Sequence, residues 1–246
     1  MTKHLSKNEK ENISMESNKK AVVLLSGGAD STTCLAVAVK KYGAENVLAL
    51  SAFYGQRHKR EIESARMVAA FYGVDHKEAD LSLAFSMSDC PLLAQSTHHI
   101  KHESYAEQLK ELGGEGTVDT YVPFRNGLLL SYAAAVAVSV GAEAIYYGAH
   151  ADDAAGRAYP DCTPEFAAYM NKAIFEGSGR TTHLEAPLIN LNKAGVVKLG
   201  LELNTPYQFT WSCYEGGEKP CGTCGTCIDR AAAFEANGVK DPALED

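Results

Sequence analysis

The string Ser26-Gly27-Gly28-Ala29-Asp30-Ser31 combines residue types and spacing that could do chemistry. Two glycines allow a tight turn that brings backbone N–H groups close to an anion. Ser26, Ser31 and Thr32 add hydroxyl donors. A helix starting just after the turn adds the positive end of its dipole. This is the chemistry of a pyrophosphate cradle. No Gly-Lys-Ser/Thr follows the glycines and no G-x-G-x-x-G is present, so neither the Walker loop nor the dinucleotide fingerprint applies. The plain alternative is a glycine turn that only joins a strand to a helix.

Four of the seven cysteines are local: Cys213, Cys221, Cys224 and Cys227. Two overlapping C-x-x-C steps bring three thiolates to one centre, and the Cys213 loop delivers a fourth. Glycines 216, 217, 222 and 225 permit the turns. Four soft thiolates in a closed tetrahedron suit one structural Zn²⁺ per chain, with no open coordination position. An iron–sulfur cluster, a redox pair and unligated thiols are the alternatives. Cys34 reads as core, and Cys162 as a buried thiol rather than a nucleophile.

Other charged and polar groups follow strands or open helices. Asp30 either caps its helix or meets phosphate through Mg²⁺. Arg57 and His58 are ligand contacts or a solvated loop pair. Arg125 precedes an apolar helix, where a cation opposes the dipole unless an anion lies nearby. Asn126 is a cap or a ligand contact. Asp152, Asp153 and Asp161 cluster after the fourth strand, for metal or base recognition or for turn chemistry. Lys193 opens a helix and can reach phosphate. His98, His99 and His102 lie in an irregular stretch and read as a solvated loop.

The elements that must position these groups alternate. Ala21 to Leu25 is a short, fully apolar run, as in a strand covered on both faces. A helix from Ser31 to Lys41 follows, then a strand over Val47 to Phe53, a helix over His58 to Tyr72, and a weaker strand over Val74 to Leu81. Further on come helices over Asn126 to Val140, Thr163 to Phe175 and Asn192 to Leu203, with strands at Ala144 to Gly148 and His183 to Leu188. The pattern predicts an α/β fold, doubly wound, with a mainly parallel sheet and a C-terminal four-cysteine zinc-binding loop. The loops after the strands should converge on the ligand-binding edge. Residues 1–20 read as a disordered lead, 21–206 as the nucleotide-binding α/β domain with an insertion near 82–120, and 207–246 as a metal-binding segment packed on that domain.

The chain has 246 residues, 46% of them apolar, and a formal charge of −8. An acidic chain with no Lys/Arg run is a poor fit to a nucleic-acid backbone. No apolar stretch is long enough to span a bilayer, and the lysine-rich start lacks the apolar core of a secretory signal. A cytoplasmic location with reduced thiols is expected.

The Ser-Gly-Gly-x-Asp-Ser string resembles the loop of ATP pyrophosphatases, which cleave ATP between its α- and β-phosphates and adenylate an oxygen. The strings Leu25 to Leu35, Tyr54-Gly55-Gln56-Arg57-His58, Val122-Pro123-Phe124-Arg125-Asn126, Tyr159-Pro160-Asp161-Cys162 and Thr210-Trp211-Ser212-Cys213-Tyr214, with the final cysteine run, together resemble the 7-cyano-7-deazaguanine synthase family. The resemblance runs from about Ala21 to Phe234. Gly225 departs from the aspartate more usual there, and Asp153 to Tyr159 is slightly longer than in some members, which unsettles the placement of Asp152 and Asp153.

The resemblance implies an adenine nucleotide alpha-hydrolase-like fold and an ATP-dependent ligase of queuosine biosynthesis. It implies that 7-carboxy-7-deazaguanine and ammonia become the nitrile through adenylated acid and amide, releasing AMP and pyrophosphate. Leu25, Ser26, Gly27, Gly28, Ala29, Asp30, Ser31, Thr32, Thr33, Cys34 and Leu35 then form the ATP site. Asp30, Arg125 and Asp152 take catalytic roles, and Arg57, His58, Asn126, Asp153, Tyr159 and Asp161 bind substrate. ATP comes with Mg²⁺, free ammonium is the nitrogen source, and a homodimer is expected. The competing readings are another enzyme of the same loop class (tRNA sulfur transfer or small-acid amidation) and a non-catalytic zinc- and nucleotide-binding module.

Overall fold

Strand residues alternate between two faces, so a strand covered on both sides must be apolar throughout. The first strand, β1 (Ala21–Leu24), meets that demand. In the computed structural model, which describes residues 19–244, it is the centre of a five-stranded sheet with β2 (Val47–Phe53), β3 (Asp75–Asp80), β4 (Ala144–Tyr146) and β5 (His183–Glu185). The order is β3-β2-β1-β4-β5 and all pairings are parallel. Val22 pairs with Leu48 on one side and Ile145 on the other.

The helices are α1 (Ala29–Tyr42), α2 (Arg60–Tyr72), α3 (Tyr105–Glu111), α4 (Arg125–Val140), α5 (Pro164–Gly177), α6 (Lys193–Glu202) and α7 (Gly225–Ala236). One face of the sheet packs Val22, Leu48, Leu50 and Ile145 against Leu130, Ala133 and Ala137 of α4 and Ala167 and Ile174 of α5. The other packs Ala21, Val23, Val47 and Ala49 against Cys34, Leu35 and Ala38 of α1 and Ala65, Val68 and Ala69 of α2. The doubly wound parallel fold read from the sequence is therefore the fold observed. Its order reverses between β1 and β4, which places the ligand crevice at their carboxyl ends.

Edge strand β3 reads Asp-His-Lys-Glu-Ala-Asp, with Ala79 its one buried residue. Charges on an edge strand discourage pairing with other chains. Thr163 Oγ1 accepts the Phe166 N–H at 3.2 Å and Asn192 Oδ1 accepts the Gly195 N–H at 2.8 Å, so both anticipated helix caps form.

Two features depart from the sequence reading. The lead assigned to residues 1–20 lies mostly outside the described residues, but Lys19 and Lys20 are ordered. Lys20 N–H donates to Asn46 O and its carbonyl accepts from Glu143 N–H, while Lys19 Nζ lies 2.6 Å from Asp75 Oδ2. The pairing of β1 with its neighbours thus starts before the apolar run. Helix α7 carries no clear signal, because its first turn is the Gly-Thr-Cys run; its Ala233 and Phe234 pack with Val197 of α6 and Tyr207. The segment 82–120, read as an insertion, packs onto the body of the fold. Phe85, Leu92, Leu93 and Ile100 share a buried cluster with Tyr54, Val122, Cys213, Cys224 and Cys227.

Candidate active site and cysteine centre

The cleft opens over the carboxyl ends of β1, β2 and β4, with Leu24, Leu50 and Tyr147 on its walls. The β1–α1 loop forms one side. Ser26 and Ser31 hydroxyls lie 3.0 Å apart, Ser31 Oγ donates to Gly28 O at 3.1 Å, and Gly28 N–H donates to Ser26 Oγ at 3.3 Å. Gly27 has φ +90°, and a Cβ there would sit 2.2 Å from Glu61 O and 2.7 Å from Ala65 N. Only glycine fits between the loop and the start of α2.

Within Leu25 to Leu35, Leu25, Ser26, Gly28, Asp30 and Ser31 line the cleft. Five of the eleven residues expected at the ATP site thus face the cleft. Ala29, Thr32, Thr33, Cys34 and Leu35 are fully buried on the inner side of α1. Thr33 Oγ1 is held by Ala29 O at 2.9 Å and Tyr207 OH at 2.8 Å. These residues fix the helix that aims the loop.

A charged network lies beside the loop. Lys193 Nζ donates to Asp30 Oδ2 at 2.5 Å. His150 Nε2 is 3.4 Å from Asp153 Oδ2 and 3.8 Å from Asp30 Oδ1. Burial pushes the Asp30 carboxyl up, but Lys193 and His150 outweigh it and hold the group below the usual range. Burial instead raises Asp153. Asp152 Oδ2 accepts the Lys193 backbone N–H at 2.7 Å, so it helps cap α6 while facing the cleft. Asp30 Oδ1 and His150 Nδ1 are buried with no hydrogen-bond partner among the described residues. His150 was not singled out from the sequence; the available signal was its place just after β4.

Arg125, at the start of α4, sits across the cleft. Its Nη1 donates to Tyr54 OH at 3.2 Å and its guanidinium lies 5.1 Å from the Tyr54 ring centre. Glu61, also missed, lines the same wall. Burial pushes its carboxyl up to about 7, partly opposed by Arg125. Tyr105, Tyr159 and Tyr214 close one end: Tyr159 OH meets Thr120 Oγ1 at 2.7 Å, and Tyr105 OH meets Tyr214 OH at 2.5 Å.

Three residues expected at the substrate go elsewhere. Asp161 is buried and off the cleft; it accepts the Asn126 N–H at 2.9 Å and Asn126 Nδ2 at 3.2 Å. It is the acceptor for the first turn of α4, and Asn126 binds it while still facing the cleft. Arg57 is exposed and its guanidinium donates to the carbonyls of Ser96 and His98. It ties down the 82–120 segment because the backbone there offers acceptors that no ladder uses. His58 packs edge-on to Trp211 and fills the space beside Gly216, away from the cleft. His102, read as solvated, bridges Thr223 Oγ1 at 2.7 Å and Glu215 Oε1 at 3.1 Å.

The four Sγ atoms of Cys213, Cys221, Cys224 and Cys227 lie within 4.8 Å of one another, so this set can hold a metal ion. A tetrahedral Zn–S bond of about 2.3 Å separates sulfurs by roughly 3.8 Å, which these positions approach. Backbone N–H groups point at the sulfurs: Glu215 and Cys221 donate to Cys213 Sγ, and Thr223 and Cys224 to Cys221 Sγ. Such donors favour thiolates. The same segment forms a cleft wall, through Trp211, Ser212, Tyr214, Thr226 and Asp229. Trp211 N–H donates to Gly27 O at 2.9 Å, joining that wall to the loop.

A parallel doubly wound sheet, a Ser-Gly-Gly-x-Asp-Ser turn at its switch point and a lysine and arginine in the crevice define an α/β enzyme of the ATP pyrophosphatase-loop class. The family profile described as "Queuosine biosynthesis protein QueC" matches residues 20–238, and the chain belongs to that family. It is 46% identical over 227 residues to the 7-cyano-7-deazaguanine synthase of Oceanobacillus iheyensis, covering 91% of this chain and 97% of that one. It is 43% identical over 228 residues to that of Archaeoglobus fulgidus, covering 92% and 90%. Among solved structures, the NMN synthetase from Francisella tularensis aligns with a TM-score of 0.48 at 17% identity, over 96% of this chain and 88% of that one. The family read from the sequence motifs is the one found. Among the described residues no helix is long and apolar enough to cross a membrane.

Proposed function

We propose that this chain converts 7-carboxy-7-deazaguanine and ammonia to 7-cyano-7-deazaguanine at the expense of two ATP. The carboxylate attacks the α-phosphorus of ATP and pyrophosphate leaves. Ammonia displaces AMP from the acyl adenylate and gives the amide. The amide oxygen is adenylated in turn, and loss of AMP and a proton leaves the nitrile. A carboxylate oxygen leaves poorly until it carries phosphate, so the protein's task is positioning and charge neutralisation.

The observation that carries this reading is that one cleft joins the Ser26–Ser31 loop, Lys193 and Arg125 to a polar pocket outside the loop. Loop N–H groups and the α1 N-terminus receive pyrophosphate. Lys193 neutralises phosphate charge, and Asp30 would help hold the Mg²⁺ that accompanies ATP. Arg125 stands opposite, at the carboxylate or α-phosphate. Asp152 and Asp153 accept the N–H groups of the guanine-like edge, with Asn126 and Tyr159 beside them. Zn²⁺ fits the four cysteines, with no open position, and supplies structural cross-linking of the Trp211 to Asp229 wall. The body 21–206 and the segment 207–246 act as one cytoplasmic unit, assembled as a homodimer, with no direct nucleic-acid partner. Sedimentation near twice the 26.4 kDa chain mass checks the dimer.

Mass spectrometry of a reaction with ATP, Mg²⁺, ammonium and 7-carboxy-7-deazaguanine tests the activity. The expected result is the nitrile with two AMP per product. Bound nucleotide with no AMP release overturns the reading in favour of a binding module.

A further inference from the structure

Ammonia reaches neutral solution almost wholly as ammonium, which has no lone pair to attack with. An amidating site that uses free ammonium must therefore take a proton from it. Resting on the ligase reading above, we propose that Glu61 is the group that binds ammonium in the cleft and accepts its proton before C–N bond formation.

Position singles Glu61 out among the cleft carboxylates. Asp30 is tied to Lys193, Asp152 to the start of α6, and Asp153 lies against His150. Glu61 lines the cleft with Tyr54 and Arg125, and no hydrogen bond to its carboxylate is found among the described residues. Its backbone carbonyl is the atom that forces glycine at position 27. The side chain lines the cleft on the wall that holds Arg125, which the reading above puts at the substrate carboxylate or α-phosphate. Asp229 also faces the cleft, but its ionisable neighbours are Lys193, Asp152, Asp153 and His150 rather than Arg125. Burial brings Glu61 to about 7 with Arg125 opposing, so it is a far better proton acceptor than an exposed carboxylate and still ionises near neutrality.

The step balances as follows. Ammonium gives one proton to Glu61, and the freed lone pair forms the C–N bond at the acyl carbon. The bond from that carbon to the AMP oxygen breaks and AMP leaves with the electron pair. The second proton lost from nitrogen goes to water, and Glu61 returns its own proton to solvent after AMP departs.

The test compares two nucleophiles at the same acyl adenylate. Hydroxylamine is largely uncharged at neutral pH and needs no such acceptor; it yields the hydroxamate. In Glu61→Gln, amide formation from ammonium should fall about 100-fold or more, while hydroxamate formation falls far less, and Glu61→Asp should lie between. Equal losses with both nucleophiles, or none with ammonium, overturn the proposal and leave the ligase reading standing. A wild-type enzyme forming neither amide nor hydroxamate overturns both. Should Glu61→Gln not fold, the same ratio is read on Glu61→Asp.

Discussion

Glu61 is held in the folded chain at a cost, and the sign of that cost is measurable. Its carboxyl ionises near 4.5 when unfolded and near 7 when folded. Its contribution is fully present below about pH 4.5, is lost as pH rises through 7, and stays lost above. At about 1.4 kcal/mol per pH unit, the penalty at pH 8 is at most about 3.5 kcal/mol. Glu61→Gln should therefore raise the Tm at pH 8 by up to roughly 7–14 °C and leave it little changed near pH 4.5, as read by thermal melts across pH. A second prediction concerns Lys193. Lys193→Ala removes the cation nearest the loop and should lower AMP formation roughly 100-fold or more; steady-state kinetics with ATP check it. The sequence reading found the loop and Lys193 but not Glu61. The loop was legible because the whole Ser-Gly-Gly-x-Asp-Ser string stands between an apolar strand and a helix. Glu61 looked like any first-turn helix acid, and only the folded cleft, with Tyr54 and Arg125 beside it, shows where it lies.

At the scale of elements, α4 depends on a residue far along the chain. Asp161 accepts the backbone N–H and the side-chain amide of Asn126. Asp161→Ala leaves those donors buried and should destabilise the fold by about 2 kcal/mol, a Tm loss of roughly 4–8 °C. A substrate role would instead raise KM with little change in melting, so measuring both separates the two. The helix caps at Thr163 and Asn192 were readable because they act within three residues. A cap supplied from 35 residues away has no local signature, and Asp161 looked like a ligand contact for that reason. Arg57 was misplaced similarly, since its partners are carbonyls of an irregular segment whose path the sequence does not give.

Across the whole molecule, the cysteine centre and the cleft are one construction. Trp211, Ser212, Tyr214, Thr226 and Asp229 flank the thiolates in sequence and line the crevice in space. Removing the metal, by chelation or by Cys224→Ser, should lower the Tm and abolish ATP-dependent AMP formation together. Elemental analysis should give one zinc per chain before and none after. Retained activity in metal-free protein would show that the wall stands without its cross-link.

The sequence by itself determined the parallel doubly wound sheet, the phosphate loop, the thiolate set and the family, because each is written in short-range pattern: apolar runs, a glycine turn, C-x-x-C spacing. Only the tertiary structure decided which residues of that pattern face the cleft. It sent Thr33, Cys34 and Leu35 into the core and took Asp161, Arg57 and His58 into structural work. It also brought His150, Glu61 and the α7 wall to the crevice. The physical reason is that burial and partner choice depend on which surfaces meet. Those surfaces come from segments tens to nearly two hundred residues apart, as with Lys193 on Asp30 and Trp211 on Gly27.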